Sequence, residues 1–242
     1  MDKVSFGHED VAPREKTRRV GAVFSSVASS YDLMNDLMSG GQHRLWKQAF
    51  VRRVRPRKGE AILDMAGGTG DIGFRLARAG ARVTVADINA EMLAVGVERA
   101  KQRGIEGLIW AEENAESLSF GDKAFDAYTI AFGIRNVTGI PAALKEAHRV
   151  LKIGGRFYCL EFSRTRWPGF ATLYATYARR IVPKIGKAVA KDEDSYRYLI
   201  ESIERFPDMP AFARMIAEAG FGNVKAEPIL GGLVAIHSGW KI

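Results

Sequence analysis

A single cysteine in 242 residues leaves no partner for an intrachain disulfide. Cys159 lies inside the apolar run RFYCLEF, which is the setting of a buried structural thiol. Histidine is scarce too. Residues 8, 43, 148 and 237 are scattered, with no second ligand at metal spacing, so no metal site is expected. No apolar run approaches the ~18–20 residues that would cross a bilayer. The first twenty residues are charged throughout and show no secretory pattern, so a cytoplasmic protein is expected. Internal repeats and low-complexity segments are absent. What remains is the composition of a folded domain: 47% apolar and 26% charged residues, in a length that suits one substantial α/β domain or two small ones.

Charge is unevenly placed. The positive charge behind the net +8 lies in two segments: residues 1–60 carry 12 Lys and Arg against 7 Asp and Glu, and residues 161–190 carry 6 against 1, while residues 191–242 carry 6 against 8. Residues 61–160 balance at 12 of each. A basic excess of this kind suits nucleic acid, an anionic lipid surface or plain solubility.

The middle of the chain alternates strand and helix patterns. AILDMAG reads as a buried strand entering a glycine turn, followed by a helix from about Asp71 to Ala79 that Gly80 stops. ARVTVADI is a second strand, ending at Asp87. NAEMLAVGVERAKQRG is a helix capped by Asn89 and closed by Gly104. GLIWAEEN and AFDAYTIAFG are two more strands. IPAALKEAHRVLKIGG is a helix with Gly154 and Gly155 past its end, and RFYCLEFS is a fifth strand. The rhythm β-α-β-α-β-α-β-α-β implies a doubly wound parallel sheet, whose ligands lie beyond the carboxyl ends of the strands. Asp64, Asp87, Asn114, Gly133 and Glu161 all fall at those ends.

LDMAGGTGDIG holds a G-x-G-x-x-G at Gly68, Gly70 and Gly73. That spacing alone does not separate a dinucleotide from an adenosyl sulfonium, since either needs close backbone approach. The acids separate them. Asp64 precedes the loop and Asp71 opens the helix; two carboxylates repel a pyrophosphate and attract a sulfonium and an amino group. Asp87 can accept both ribose hydroxyls, and the Asn of ENAESLSF can read an adenine edge.

On these residues the chain resembles the ubiquinone/menaquinone biosynthesis C-methyltransferases, from about Phe24 to Ile242. YDLMNDLMSGGQHRLWK (31–47) and DSYRYLIESIERFPD (194–208) are its long, specific segments; DMAGGTGD, ADIN, NAE, AFGIRN and HRVLKIGGRFYCLEFS follow in the family's order. Two positions depart from it: Ile153 stands where the family usually has proline, and Ala131 where some members carry serine.

The resemblance implies an α/β, mostly parallel seven-stranded sheet of the class I methyltransferase, Rossmann-like type. It implies one domain: an N-terminal helical cap (1–55), a cofactor core (56–163), a helical insertion over the substrate (164–210) and a C-terminal helix with strands (211–242). S-adenosylmethionine would be the methyl donor. Ala66, Gly68, Thr69 and Gly70 would hold its methionine end, with Asp64 near the amino group. Asp87 and Ile88 would take the ribose, Asn114 and Ala115 the adenine, and Ala131 a backbone contact. The acceptor would be a ring carbon of 2-polyprenyl-6-methoxy-1,4-benzoquinol, of demethylmenaquinol, or of both. Arg135 would lower the phenol's pKa and Asn136 would hold a water that takes the proton, with Tyr31 in the ring pocket and His43 and Tyr196 as weaker candidates.

Beyond the core, Phe170, Leu173, Tyr174, Tyr177 and Ile181 share one helical face, trailed by Arg179, Arg180, Lys184 and Lys187. This pattern suits peripheral contact with an anionic leaflet. A quinone-biosynthesis complex and a homodimer are further expectations. An O- or N-methyltransferase on the same fold is the main rival. A nucleic-acid partner is not expected, since AFGIRN stands where an N-P-P-Y-type loop would be needed. A non-catalytic scaffold would be expected to have lost donor-side residues that this chain keeps.

Overall fold

The computed structural model describes residues 3–28, 35–36, 39–165, 167, 169, 176–177 and 193–242. Two short strands, β1 (Val4–Phe6) and β2 (Glu9–Val11), form an antiparallel hairpin that leads into α1 (Pro13–Val27). Helix α2 (His43–Val54) precedes the first core strand. The core runs β3 (Ala61–Met65), α3 (Asp71–Arg78), β4 (Arg82–Asp87), α4 (Ala90–Gln102), β5 (Ile109–Glu112), β6 (Phe125–Ala131), a 3-10 turn (Ile134–Asn136), α5 (Ile140–Val150) and β7 (Leu151–Phe162). Helices α6 (Glu193–Arg205) and α7 (Met209–Glu218) follow, then β8 (Gly222–Ile229) and β9 (Val234–Trp240).

The sheet order is β5-β4-β3-β6-β7-β9-β8. The first five strands are parallel, with Asp64 beside Val85 on one side and beside Thr129 on the other. Strands β9 and β8 add to β7 in antiparallel sense. The expected mostly parallel seven-stranded sheet is therefore present. Along β7, Phe157 and Cys159 pack with Tyr128, Leu144 and Phe212, whereas Tyr158 and Leu160 pack with Trp46, Phe50 and Leu76. Period-two alternation thus sends successive side chains into cores on opposite sheet faces. A third cluster joins α1 to α6 through Val20, Tyr196, Tyr198, Leu199 and Ile200.

Local signals set most boundaries. Asn89 caps α4 by accepting the Met92 amide at 3.0 Å, and Asp208 caps α7 through the Ala211 amide at 2.9 Å. Gly73 allows α3 to lie against β4, since a Cβ there would come within 2.6 Å of Val85. Two expectations are corrected. No helix connects β5 to β6; Asn114 makes an Asx turn with the Glu116 amide instead. Helix α5 stops at Val150, and Leu151 already has extended backbone, so LKIGG belongs to β7. Ile153 is exposed there, away from the strand ends that carry Asp64 and Asp87. Among the described residues, no helix is long and apolar enough to cross a membrane.

Candidate functional site

Strand order reverses between β3 and β6, which run parallel: β4 and β5 are laid to one side of β3, and β6 and β7 to the other. The crevice above that switch point is where such sheets place ligands. Here it is framed by unusual backbone. Ala66, just past β3, has φ 51°, and Phe132, just past β6, has φ 58°. Both are left-handed conformations that non-glycine residues seldom adopt and that collect at functional sites. Gly133 has no Cβ because one would collide with the Ala66 methyl. Alanine's small size is thus only part of why Ala66 is accommodated; the left-handed turn and the bare Gly133 opposite complete the reason.

A cleft of about 1040 Å³, open mouth included, follows the strand ends. Asn114 and Ala115 line it beyond β5, Asp87 and Ile88 beyond β4, and Asp64 with Ala66 to Thr69 beyond β3. Ala131 to Gly133 and Asn136 line it beyond β6. Thr17, Val20 and Phe24 of α1 and Lys47 of α2 also line it. Helix α1 is fastened over the cleft: Lys16 Nζ donates to the Val137 carbonyl at 2.8 Å, and Asn89 Nδ2 donates to Ser25 Oγ at 3.0 Å.

The carboxylates differ in what already engages them. The two oxygens of Asp87 accept the amides of Gly68 and Asn89, each at 2.9 Å. The carboxylate has acceptor capacity beyond these bonds, and desolvation raises the acid to about 6 against the pull of the Asn89, Gly68 and Ile88 amides. Asp64 is buried; its Oδ1 accepts the Thr129 hydroxyl at 2.8 Å, while Oδ2 has no hydrogen-bond partner. Burial raises this acid to about 7. Asp71 is the opposite case: burial works against its charge, but Lys47 at 2.9 Å and Arg75 at 3.1 Å hold it down at about 2. The expectation of two open acids is corrected here, since Asp71 is already neutralised and Asp64 alone carries an unpartnered oxygen. Thr69 is buried and accepts Arg99 Nη1 at 3.0 Å.

Residues 13–241 match the model of the ubiE/COQ5 methyltransferase family. The chain belongs to that family. It is 68% identical over 242 residues, covering all of both chains, to the ubiquinone/menaquinone biosynthesis C-methyltransferase UbiE of Zymomonas mobilis subsp. mobilis. It is 49% identical over 259 residues to the mitochondrial 2-methoxy-6-polyprenyl-1,4-benzoquinol methylase of Arabidopsis thaliana, covering 98% of this chain and 90% of that one. Among solved structures, a SAM-dependent methyltransferase from Aquifex aeolicus superposes with a TM-score of 0.65, at 14% identity, over 90% of this chain and 98% of that one. That likeness bears on fold alone. As a ubiE/COQ5 family member, the chain is an S-adenosylmethionine-dependent methyltransferase.

The cleft fits that donor chemically. Asp87 keeps lone pairs for a vicinal diol, and the buried, unpartnered Asp64 oxygen matches an ammonium. Of the expected donor residues, Asp64, Ala66, Gly68, Thr69, Asp87, Ile88, Asn114, Ala115 and Ala131 all line the cleft. Gly70 does not. It caps α3 at φ 85°, where a Cβ would come within 2.7 Å of Trp110.

The acceptor side differs more from expectation. Asn136 lines the cleft; its Oδ1 accepts the Tyr198 hydroxyl at 3.1 Å, and its buried Nδ2 has no partner. Arg135 was expected at the acceptor ring, but it is not among the described residues lining the cleft. Its Nη1 donates to Glu161 at 2.7 Å and to the Phe132 carbonyl at 2.8 Å, and its Nε to Ser202 at 3.3 Å. Glu161, expected at the ligand edge, is fully buried in that pair. His43 pairs with Asp36 at 2.8 Å and Tyr196 is buried in the α1–α6 cluster, both away from the described lining. Tyr31 lies outside the described residues, as do Arg179, Arg180, Lys184 and Lys187. Sequence reasoning missed Lys47, the roof formed by α1, and Tyr198. Lys47 and Tyr198 do fall inside the two stretches, 31–47 and 194–208, that carried the family resemblance.

Proposed function

We propose that the chain methylates a ring carbon of a polyprenylated quinol: a methoxybenzoquinol on the way to ubiquinone, demethylmenaquinol, or both. The full-length likeness to the Zymomonas enzyme carries this reading. The order of groups along the sheet edge supports it. Adenine would meet Asn114 and Ala115, the ribose Asp87, the methionine end Asp64 and Ala66 to Thr69, and the acceptor ring the β6 side at Asn136.

When bound, S-adenosylmethionine supplies an electrophilic methyl group. The protein's task is to hold the ring carbon in line with it, exclude water and manage one proton. A ring hydroxyl must pass its proton to a water molecule before the adjacent carbon becomes a competent nucleophile. The free Nδ2 of Asn136, oriented by Tyr198, is the donor available to that oxygen. Arg135 acts from behind Asn136 as a positioning residue. Its charge is shared with Glu161, so its help to a phenolate is smaller than that of an unpaired guanidinium. Tyr31 belongs to the same ring pocket on sequence grounds.

The chain forms one functional unit in this reading, with residues 1–55 as an N-terminal cap and residues 164–210 assigned to the substrate side. The basic, aromatic stretch 164–187 would meet the membrane surface where a polyprenylated substrate resides, in a cytoplasmic enzyme associated peripherally; self-association and docking to a quinone-biosynthesis complex belong to the same proposal. The test is turnover of purified protein with labelled donor against both reduced quinols and a panel of O- and N-acceptors. Transfer to either quinol supports the reading. Transfer only to O- or N-acceptors would replace it with the rival methyltransferase class.

A further inference from the structure

Lys47 is almost fully buried, with a side chain 6% exposed, yet it lines the donor cleft. A buried ammonium needs compensation by opposite charge. Its partner at 2.9 Å is Asp71, but Asp71 is also bound by Arg75 at 3.1 Å. One carboxylate is thus shared by two cations. The other acid near this group, Asp64, has its charge disfavoured by burial and is raised to about 7, so it compensates only in part. The β3 end of the cleft therefore holds an unbalanced cation beside an unpartnered carboxylate oxygen. A zwitterion complements that pair, its ammonium toward Asp64 and its carboxylate toward the lysine.

We propose that Lys47, held in place by Asp71, is the binding residue for the carboxylate of the donor's methionine end. The inference rests on the donor assignment and adds a subsite to it. It also gives α2 a role: the helix carries a cation from outside the glycine loop into the donor site. The same contact would favour the intact donor over adenosyl compounds that lack the amino-acid carboxylate.

The experiment compares S-adenosylmethionine with decarboxylated S-adenosylmethionine, by calorimetric binding to the full chain. The wild-type protein should prefer the carboxylated ligand by about 10- to 100-fold, the range of one charge-assisted hydrogen bond. Lys47→Met should lose most of that preference while binding the decarboxylated ligand much as before. Because Lys47→Met leaves Asp71 short of a partner, Lys47→Met combined with Asp71→Asn removes both charges together and should show the same loss. Equal wild-type affinity for the two ligands overturns the subsite without any variant. A preference retained in either variant overturns the role of Lys47. Failure of the wild type to bind either compound would instead overturn the donor assignment itself.

Discussion

Two buried aspartates line the cleft where the donor is proposed to bind, and their acidities make them separable. Asp64 is raised from 3.8 to about 7 by burial. Between about pH 4 and pH 7 the folded protein therefore holds a proton that the unfolded chain has released. Stability from this residue falls as pH rises through that window, by at most about 4 kcal/mol. Asp64→Asn should flatten this slope: its melting temperature relative to wild type becomes more favourable from pH 5 to pH 8, while donor affinity falls. A pH-independent difference between the two melting curves would contradict the assignment. For Asp87, the remaining lone pairs are the functional feature. Asp87→Ala should weaken donor binding by about 10- to 100-fold, since charge-assisted hydrogen bonds contribute roughly 1.5–3 kcal/mol each. Wild-type affinity should itself decline in two steps as pH drops, below about 7 where Asp64 gains a proton and further below about 6 where Asp87 does. Unchanged calorimetric affinity in Asp87→Ala would remove the ribose contact. At the acceptor side, Tyr198→Phe should lower kcat several-fold with donor affinity intact, because only the orientation of Asn136 is lost. A fall in donor affinity that matches the fall in kcat would count against that role.

The meeting of β3 and β6 sets the shape of the cleft, and it too can be tested. Gly133→Ala should lower both melting temperature and donor affinity, because the new methyl collides with Ala66. Ala66→Gly removes that obstacle and relieves a left-handed alanine, so the double variant should recover most of the loss. Additive losses would show that the two positions do not meet. How much of this was readable in the sequence depended on range. Gly68, Gly70 and Gly80, the cap at Asn89 and the β-branched run of β4 act over a few residues and are visible as spacing. The absent helix after β5 was misread because Asn114 makes its turn locally where the β-α rhythm suggested a helix. The pairings Arg135–Glu161, Lys16–Val137, Lys47–Asp71 and Tyr198–Asn136 join distant segments, and no local pattern encodes them. Asp64, Asp87 and Asn114 could be placed at the cleft from sequence because each stands at or just past a strand end. The placement of Arg135 was not legible, because this turn residue pairs with Glu161 on β7, 26 positions along the chain.

At the scale of the whole molecule, the membrane contact proposed for residues 164–187 rests on charge. Changing Arg179 and Arg180 to Glu should reduce sedimentation with anionic vesicles, and 1 M salt should do the same by shortening the reach of exposed charge to about 3 Å. Equal binding to neutral and anionic vesicles would assign the association to the apolar face alone. The central claim concerns the atom that receives the methyl group. With a ¹³C-labelled methyl donor and a reduced polyprenylated quinol, the carbon spectrum of the isolated product reads this directly. The account predicts a ring-bound methyl resonance and an unaltered pair of ring hydroxyls. A methoxy resonance from the labelled carbon, or label found only on an O- or N-acceptor, would contradict it.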